Sequence, residues 1–291
     1  MELQVGIALS LLCAFATNLG FLLKHKGACA APAVEFRKPL SSAAALFRSK
    51  TFVIGYGVAA VAFALHVAAL WFAPISIVQS VIAGGLVFLA VIAERMFGYN
   101  LGRRQWAGVV LTAFGLMLLA LTVRHAGGNH KFSIDALIAF EAGALIIGVA
   151  LLVGPRFGTP VHHHGVMFGA ASGMLIGVSD IAIKAMTNIA SSESVASALL
   201  SPWIALAVTM AVISFYSVAR GLQVGEAVPV ITVIGVAASL VQIVGGIVVF
   251  GDPMPTGVVG IVAQTFGFVL ICAAAVLVPA PTRVASAPQP A

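Results

Sequence analysis

Nine stretches of the chain, near residues 3–23, 52–72, 75–97, 106–123, 134–153, 165–189, 202–219, 228–250 and 256–278, run apolar until a charge, a glycine or a proline stops them. A helix rises about 1.5 Å per residue, so stretches of this length cross about 30 Å of hydrocarbon. Lipid offers no partner to a backbone N–H or C=O, which leaves the helix as the form such a run takes inside a bilayer. The expected fold class is therefore all-α, a polytopic membrane protein of about nine transmembrane helices. Composition closes off a soluble alternative. Hydrophobic residues fill 61% of the 291 positions and charged residues 8%, where a soluble domain carries about a quarter charged.

The formal charge of +6 does not describe a nucleic-acid surface, because the basic residues sit at the ends of the apolar runs. Lys24, Lys26, Arg37, Lys38, Arg48, Lys50, Arg95, Arg103, Arg104, Arg156, Arg220 and Arg283 fall on one side of the nine spans. Arg124 and Lys131 fall on the other, and Lys184 lies within a span. Basic loops stay cytoplasmic, so the expected placement is a bacterial inner (plasma) membrane with the N-terminus outside and the C-terminus in the cytoplasm. Residues 27–50 leave room for an interfacial amphipathic helix. The first run opens on Glu2 without a basic leader region, which favours a spanning helix over a cleaved signal. Cys13, Cys29 and Cys272 are scattered, with no spacing that suggests a disulfide framework or a zinc site.

The two halves of the sequence carry a repeat. FGYNLGRRQWAGVVLTAFGLMLL at 97–119 aligns with FGDPMPTGVVGIVAQTFGFVLI at 250–271: Phe97-Gly98 with Phe250-Gly251, Gly108-x6-Gly115 with Gly260-x6-Gly267, Phe114 with Phe266. The expected domains are a first four-helix repeat at 1–123, a connector helix with its loops at 124–164, a second four-helix repeat at 165–278 and a disordered cytoplasmic tail at 279–291. Four helices plus one connector make an odd number of crossings, so the second set enters from the opposite side. Inverted repeats of this kind let a central site face either side by rocking one half against the other.

These elements resemble the drug/metabolite transporter superfamily. The Phe-Gly turn followed by a Gly-x6-Gly helix, seen twice, is similar to its EamA-like branch, with Tyr99 and Asp252 at the place where that branch usually has Glu. Phe21 to Gly27 (FLLKHKG), Phe72 to Val78 (FAPISIV) and Gly154 to Lys184, which ends in Asp180-x3-Lys184, resemble NIPA-type magnesium transporters of the same superfamily. The resemblance implies a transporter of a small solute, either a small organic metabolite or drug or a divalent cation such as magnesium.

An ionisable side chain inside a span costs roughly 2.5–3.5 kcal/mol near the centre of a helix and calls for a partner or a wet cavity. His66, Glu141, Asp180 and Lys184 stand out on that ground. Asp180 and Lys184, four apart, share a helix face and can pair. Helix rise puts His66, Asp180 and Gln242 about 21–22 Å from the inner face and Glu141 and Gln264 about 10–12 Å from the outer one, a common depth at which a shared polar cavity fits. Gln242 and Gln264 are equally suited to bonding helices together. Asn18 adds polarity to the first helix, and Glu226 precedes the Val228-Pro229 start of another. If the solute is magnesium, Asp180 and Glu141 are the candidate ligands. His162-His163-His164 is best read as a solvated linker, since three adjacent imidazoles do not converge on one ion unaided. Glu94, beside Arg95 at a helix end, reads as solvated.

No nucleophile–base set at common depth and no phosphate-binding loop marks an enzyme, so no catalytic residue and no cofactor is expected. The expected partners are the lipid bilayer, a small solute or cation, and a second copy of the chain in a homodimer, with no nucleic acid. The competing reading is a non-transporting membrane scaffold or accessory subunit.

Overall fold

The computed structural model describes residues 2–72, 75–122, 133–192, 194–251, 255 and 257–277. Among these the regular elements are helices: α1 (Glu2–Cys29), α2 (Pro39–Arg48), α3 (Lys50–Phe72), α4 (Ile75–Gly84), α5 (Leu86–Phe97), α6 (Arg103–Thr122), α7 (Ile134–Val153), α8 (His164–Ser192), α9 (Val195–Leu199), α10 (Pro202–Val224), α11 (Ala227–Phe250) and α12 (Val258–Leu277). Short 3₁₀ turns at Gly154–Phe157 and Val161–His163 join α7 to α8. Arg124, Lys131, Asp252 and the tail beyond Leu277 lie outside the described residues.

Each expected apolar run falls on helix, with two differences in detail. The third run divides at Gly85 into α4 and α5, and a short helix, α9, precedes α10. Six helices, α1, α3, α7, α8, α10 and α11, are long and apolar enough to cross a membrane, and α12 contributes a shorter apolar stretch, Val258–Ile271. Large apolar side chains such as Leu12, Phe63, Ile146, Val208 and Val262 point outward from these helices, as the walls of an integral membrane protein must. α8 is the most enclosed of the six, with 61% of its apolar window buried against 22% for α7.

Local chemistry sets the helix ends. Proline at the first turn of α2 and of α10 needs no N–H partner there. Gly98 after α5 (φ 69°) and Gly251 after α11 (φ 63°) both take the left-handed conformation, and their N–H groups return to Ala93 O and Gly246 O. That conformation is costly for any residue with a Cβ, so the Phe-Gly pairs of the sequence repeat have the same turn in both halves. The segment 27–50 does contain a short helix, α2. Its Leu46 is buried, Leu40 is 84% exposed, and Phe47 stacks on Phe215 of α10 with centroids 6.0 Å apart.

Packing is close because glycines remove side chains from the seams. A Cβ on Gly20 of α1 would lie 3.1 Å from Gly55 O of α3, and one on Gly55 would lie 2.9 Å from Gly20 O. Between α8 and α10, a Cβ on Gly221 would lie 3.2 Å from Gly165 O. The α6–α12 crossing is reciprocal: a Cβ on Gly115 would lie 2.9 Å from Gly267 O, and one on Gly267 would lie 3.0 Å from Gly115 O. Gly115 also faces Ile271 while Gly267 faces Leu119.

Candidate functional site

The centre of interest lies where α8 passes α11 and α7. Gly173 and Gly177 of α8 back onto Ile234, Ala238 and Val241 of α11, so the two helices run side by side in the same direction. α7 runs against both. Leu137 clusters with Ile181, Ala185 and Val249, Phe140 meets Gly245, and Ala144 clusters with Val178 and Val241.

On this frame Asp180 sits half-buried on α8, and Gln242 of α11 donates from Nε2 to its Oδ2 at 2.6 Å. Lys184, one turn on, holds its ammonium 4.4 Å from the centroid of the Phe250 ring, a cation–π contact. A neighbouring helix thus supplies Asp180 with a partner that i,i+4 spacing does not reach.

Glu141 follows from the α7 register. Leu137, Glu141 and Ala144 share a face, and that face meets α8 and α11, so Glu141 is level with Ile181 and Gly245 and hence close to the level of Asp180, next to Ile181, and of Gln242, one turn before Gly245. It is 2% exposed, and neither carboxyl oxygen has a hydrogen-bond partner among the described residues. The structure thus brings Glu141, Asp180 and Gln242 to one level. Among the described residues, Gln264 on α12 is buried with Nε2 unpartnered, as is the hydroxyl of Thr232 on α11. His66 is half-buried on α3, a helix that packs chiefly against α1.

Asn18 of α1 has a defined task. Its Nδ2 donates to Ala14 O at 2.8 Å and to Gly85 O at 3.1 Å. Gly85 is where α4 gives way to α5, its N–H shared between Val81 O and Ile82 O, and a Cβ there would collide with Ala14. The amide therefore satisfies a carbonyl beside the kink. Asn18 thus ties α1 to the α4–α5 junction, as the Gln242–Asp180 bond ties α11 to α8.

At the basic end, polar groups, of which the sequence had singled out Glu226, cross between α1, α5 and α6 on one side and α10 and α11 on the other. His25 lies between the Tyr99 hydroxyl, 3.2 Å from its Nδ1, and Gly225 O, 3.4 Å from its Nε2. The Cys29 thiol donates to Leu222 O at 3.3 Å. Gln223 accepts from Val34 N–H at 2.9 Å and donates to Ala28 O and Pro32 O at 3.0 and 2.9 Å. Glu226, exposed at the start of α11, accepts from Gln105 Nε2 at 2.9 Å. Burial pushes the Tyr99 hydroxyl above its ordinary range, with Cys29 adding in the same direction, so it remains a donor. Glu94 is not simply solvated: its Oε1 accepts from Trp106 Nε1 at 2.9 Å and from Leu101 N–H at 3.3 Å. Lys24 is buried, with its ammonium 4.0 Å from the Phe21 ring centroid and 5.0 Å from that of Tyr56. Only the clustering of Lys24, His25 and Cys29 at the end of one run hinted at this, and the carbonyls that His25 and Cys29 reach on the other side lie about 200 residues away in the chain.

A cavity of about 590 Å³ lies among α7 to α10, lined by Ile134, Ile138, Trp203 and Leu206 with a few serines. None of the sequence-predicted residues reaches it, and its walls suit an acyl chain better than a charged solute. His162 and His163 lie against each other, 3.9 Å between ring centroids, while His164 Nε2 lies 2.9 Å from Thr159 O. Among the described residues no three His, Cys, Asp or Glu side chains gather to hold a metal ion.

Comparison with known proteins bears on this arrangement. The chain is 23% identical to the "Probable magnesium transporter NIPA9" of Arabidopsis thaliana over 293 aligned residues, covering 96% of the chain and 83% of the plant protein. No family model matches the sequence. No solved structure matches it either.

Proposed function

We infer that the chain is a membrane transporter of the NIPA type within the drug/metabolite superfamily, with magnesium as its first-choice solute. The observation that carries this is the similarity to a probable magnesium transporter along almost the whole chain, which joins two distant regions of sequence in one relationship. The mechanism we favour is rocking of two inverted four-helix repeats, α1 with α3 to α6 against α8 with α10 to α12, joined by α7. Three features support it. Gly98 and Gly251 close equivalent helices with the same turn. Gly115 and Gly267, paired in the sequence repeat, touch each other reciprocally, as residues beside a two-fold axis do. And α1 leans on α3 and α4–α5 as α8 leans on α10 and α11.

Magnesium dehydrates reluctantly and is held through one or two carboxylates with its waters retained, so a single carboxylate beside an amide and a carbonyl is sufficient equipment. In this reading Asp180 and Gln242 supply oxygen ligands from one half and the Asn18–Gly85 junction supplies polarity from the other. His66 and Gln264 line the approach, and Glu226 stands at the basic mouth. Glu141, flanked by apolar clusters, stays outside the ligand set.

The test is magnesium entry into vesicles containing the purified full-length protein and a trapped magnesium-sensitive dye. We expect saturable flux, absent from protein-free vesicles and reduced at least tenfold per folded molecule in Asp180→Asn. Undiminished flux in Asp180→Asn, Lys184→Gln and the double variant would remove Asp180 from the path. Flux of a labelled organic solute without magnesium flux would move the assignment to the metabolite branch. Absence of any flux would leave the scaffold reading.

A further inference from the structure

Two of the places where the two groups of helices meet differ in chemistry. At the α6–α12 crossing the contact is backbone on backbone, glycine against glycine, with Leu119 and Ile271 beside it. Nothing there can rearrange without parting the helices, but two bare backbones can pivot. At the basic end the contact is made by side chains on carbonyls. His25 reaches Gly225 O, Cys29 reaches Leu222 O, Gln223 holds Ala28 O, Pro32 O and Val34 N–H, and Gln105 holds Glu226. These bonds run between the end of α1 or the start of α6 and the turn from α10 to α11, at a level where the basic loops meet water. Each has a cheap alternative in a water molecule, so each is worth little alone and the set is worth a decisive amount. The same turn contains Gly221 and Gly225, whose backbones lie against Gly165 of α8, so the second-half partner is mounted on α8, the most enclosed helix.

We propose that these contacts form a polar clasp, a gate that holds the two helix groups together at the basic end and opens by exchanging its hydrogen bonds for water, with the Gly115–Gly267 crossing as the pivot. The proposal rests on the two-group reading of the fold, but the opening is observable whether or not any solute is carried. Gln223 is the keystone because one amide makes three of the cross-links. Tyr99 is a positioning residue: its hydroxyl holds Nδ1 of His25 and so leaves Nε2 for Gly225. Opening also parts Leu22, Leu89 and Ile92 from Leu222, Ile231 and Ile234, which gives the closed form its apolar backing.

The experiment is pulsed electron paramagnetic resonance on the full chain in lipid nanodiscs, with spin labels at Arg103 on α6 and His162 before α8, two exposed positions outside the clasp. The background is Cys13→Ala, Cys29→Ser, Cys272→Ala, which keeps a hydroxyl donor at position 29. We expect one dominant short distance, and in Gln223→Ala a second, longer population that grows by roughly two- to tenfold for each hydrogen bond lost. Should Gln223→Ala fail to give a monodisperse folded protein, Gln105→Leu, which removes one cross-link, the bond to exposed Glu226, along with the local Gly102 N–H bond, provides the same comparison with a smaller shift. Distance distributions identical to the parent in a folded clasp variant would overturn the proposal. Magnesium flux without any such shift would overturn the clasp and leave the transport assignment standing. A shift without flux would do the reverse.

Discussion

Among the described residues, Glu141 is a buried carboxyl in an apolar setting. Two carboxyl oxygens at 2% exposure without a hydrogen-bond partner among the described residues lose their solvation for no return there. If α7 only packs, Glu141→Leu relieves that penalty and stabilises the protein by about 1–3 kcal/mol, read as a rise in thermal unfolding temperature in detergent. A fall would show that the carboxyl serves a partner that stabilises the folded chain. Tyr99 makes a pH prediction. Burial raises its hydroxyl above the ordinary tyrosine value, so the folded state favours the neutral form. The stability this supplies is complete below about pH 10, where the unfolded chain also keeps its proton, and is lost as pH rises through the higher folded value. Tyr99→Phe should remove that alkaline loss and lower stability at neutral pH by roughly 0.5–1.5 kcal/mol, seen in unfolding curves collected across pH. Residues such as Asp180 were recognisable in the sequence because a charge inside an apolar run has no neutral explanation. Helix rise put Gln242 at the same depth, but not the bond itself: Gln242 is 62 positions from Asp180, and no local spacing rule fixes which side chains meet across that distance.

At the scale of elements, the helices themselves were largely legible, since an apolar run ended by charge has few other forms in lipid. The kink between α4 and α5 was not, although Gly84-Gly85 stood in plain view. Adjacent glycines permit a bend but do not require one, and what fixes it is Asn18 of another helix donating to Gly85 O. The α6–α12 seam makes a sharp prediction. A methyl at Gly115 would lie 2.8 Å from Ile271 Cγ1 and 2.9 Å from Gly267 O, and a backbone carbonyl on a packed helix cannot step aside. Gly115→Ala should therefore destabilise by about 1–3 kcal/mol. Gly57→Ala on α3, where a Cβ would meet nothing within 4 Å, should be neutral or slightly stabilising through helix propensity. Thermal unfolding of the two variants side by side checks the contrast.

For the whole molecule, the uneven placement of lysine and arginine still predicts nine crossings and termini on opposite sides. Compartment-sensitive reporters fused to each end should give opposite signals, and matching signals would require an even number of crossings. The count rests on α4–α5, α6 and α12 crossing as fully as the six longer apolar helices do. Between those helix groups, the bonds at the basic end give the molecule a handed starting point. In a vesicle preparation where the protein has inserted both ways round, identical molecules begin with their tied ends on different sides. A solute added outside meets some of them directly and must wait for the rest to unfasten. Uptake should accordingly show a fast and a slow phase whose proportions follow insertion, measured by protease access to the basic loops, and an agent that clips or labels only the outward-facing tied ends should erase the slow phase alone.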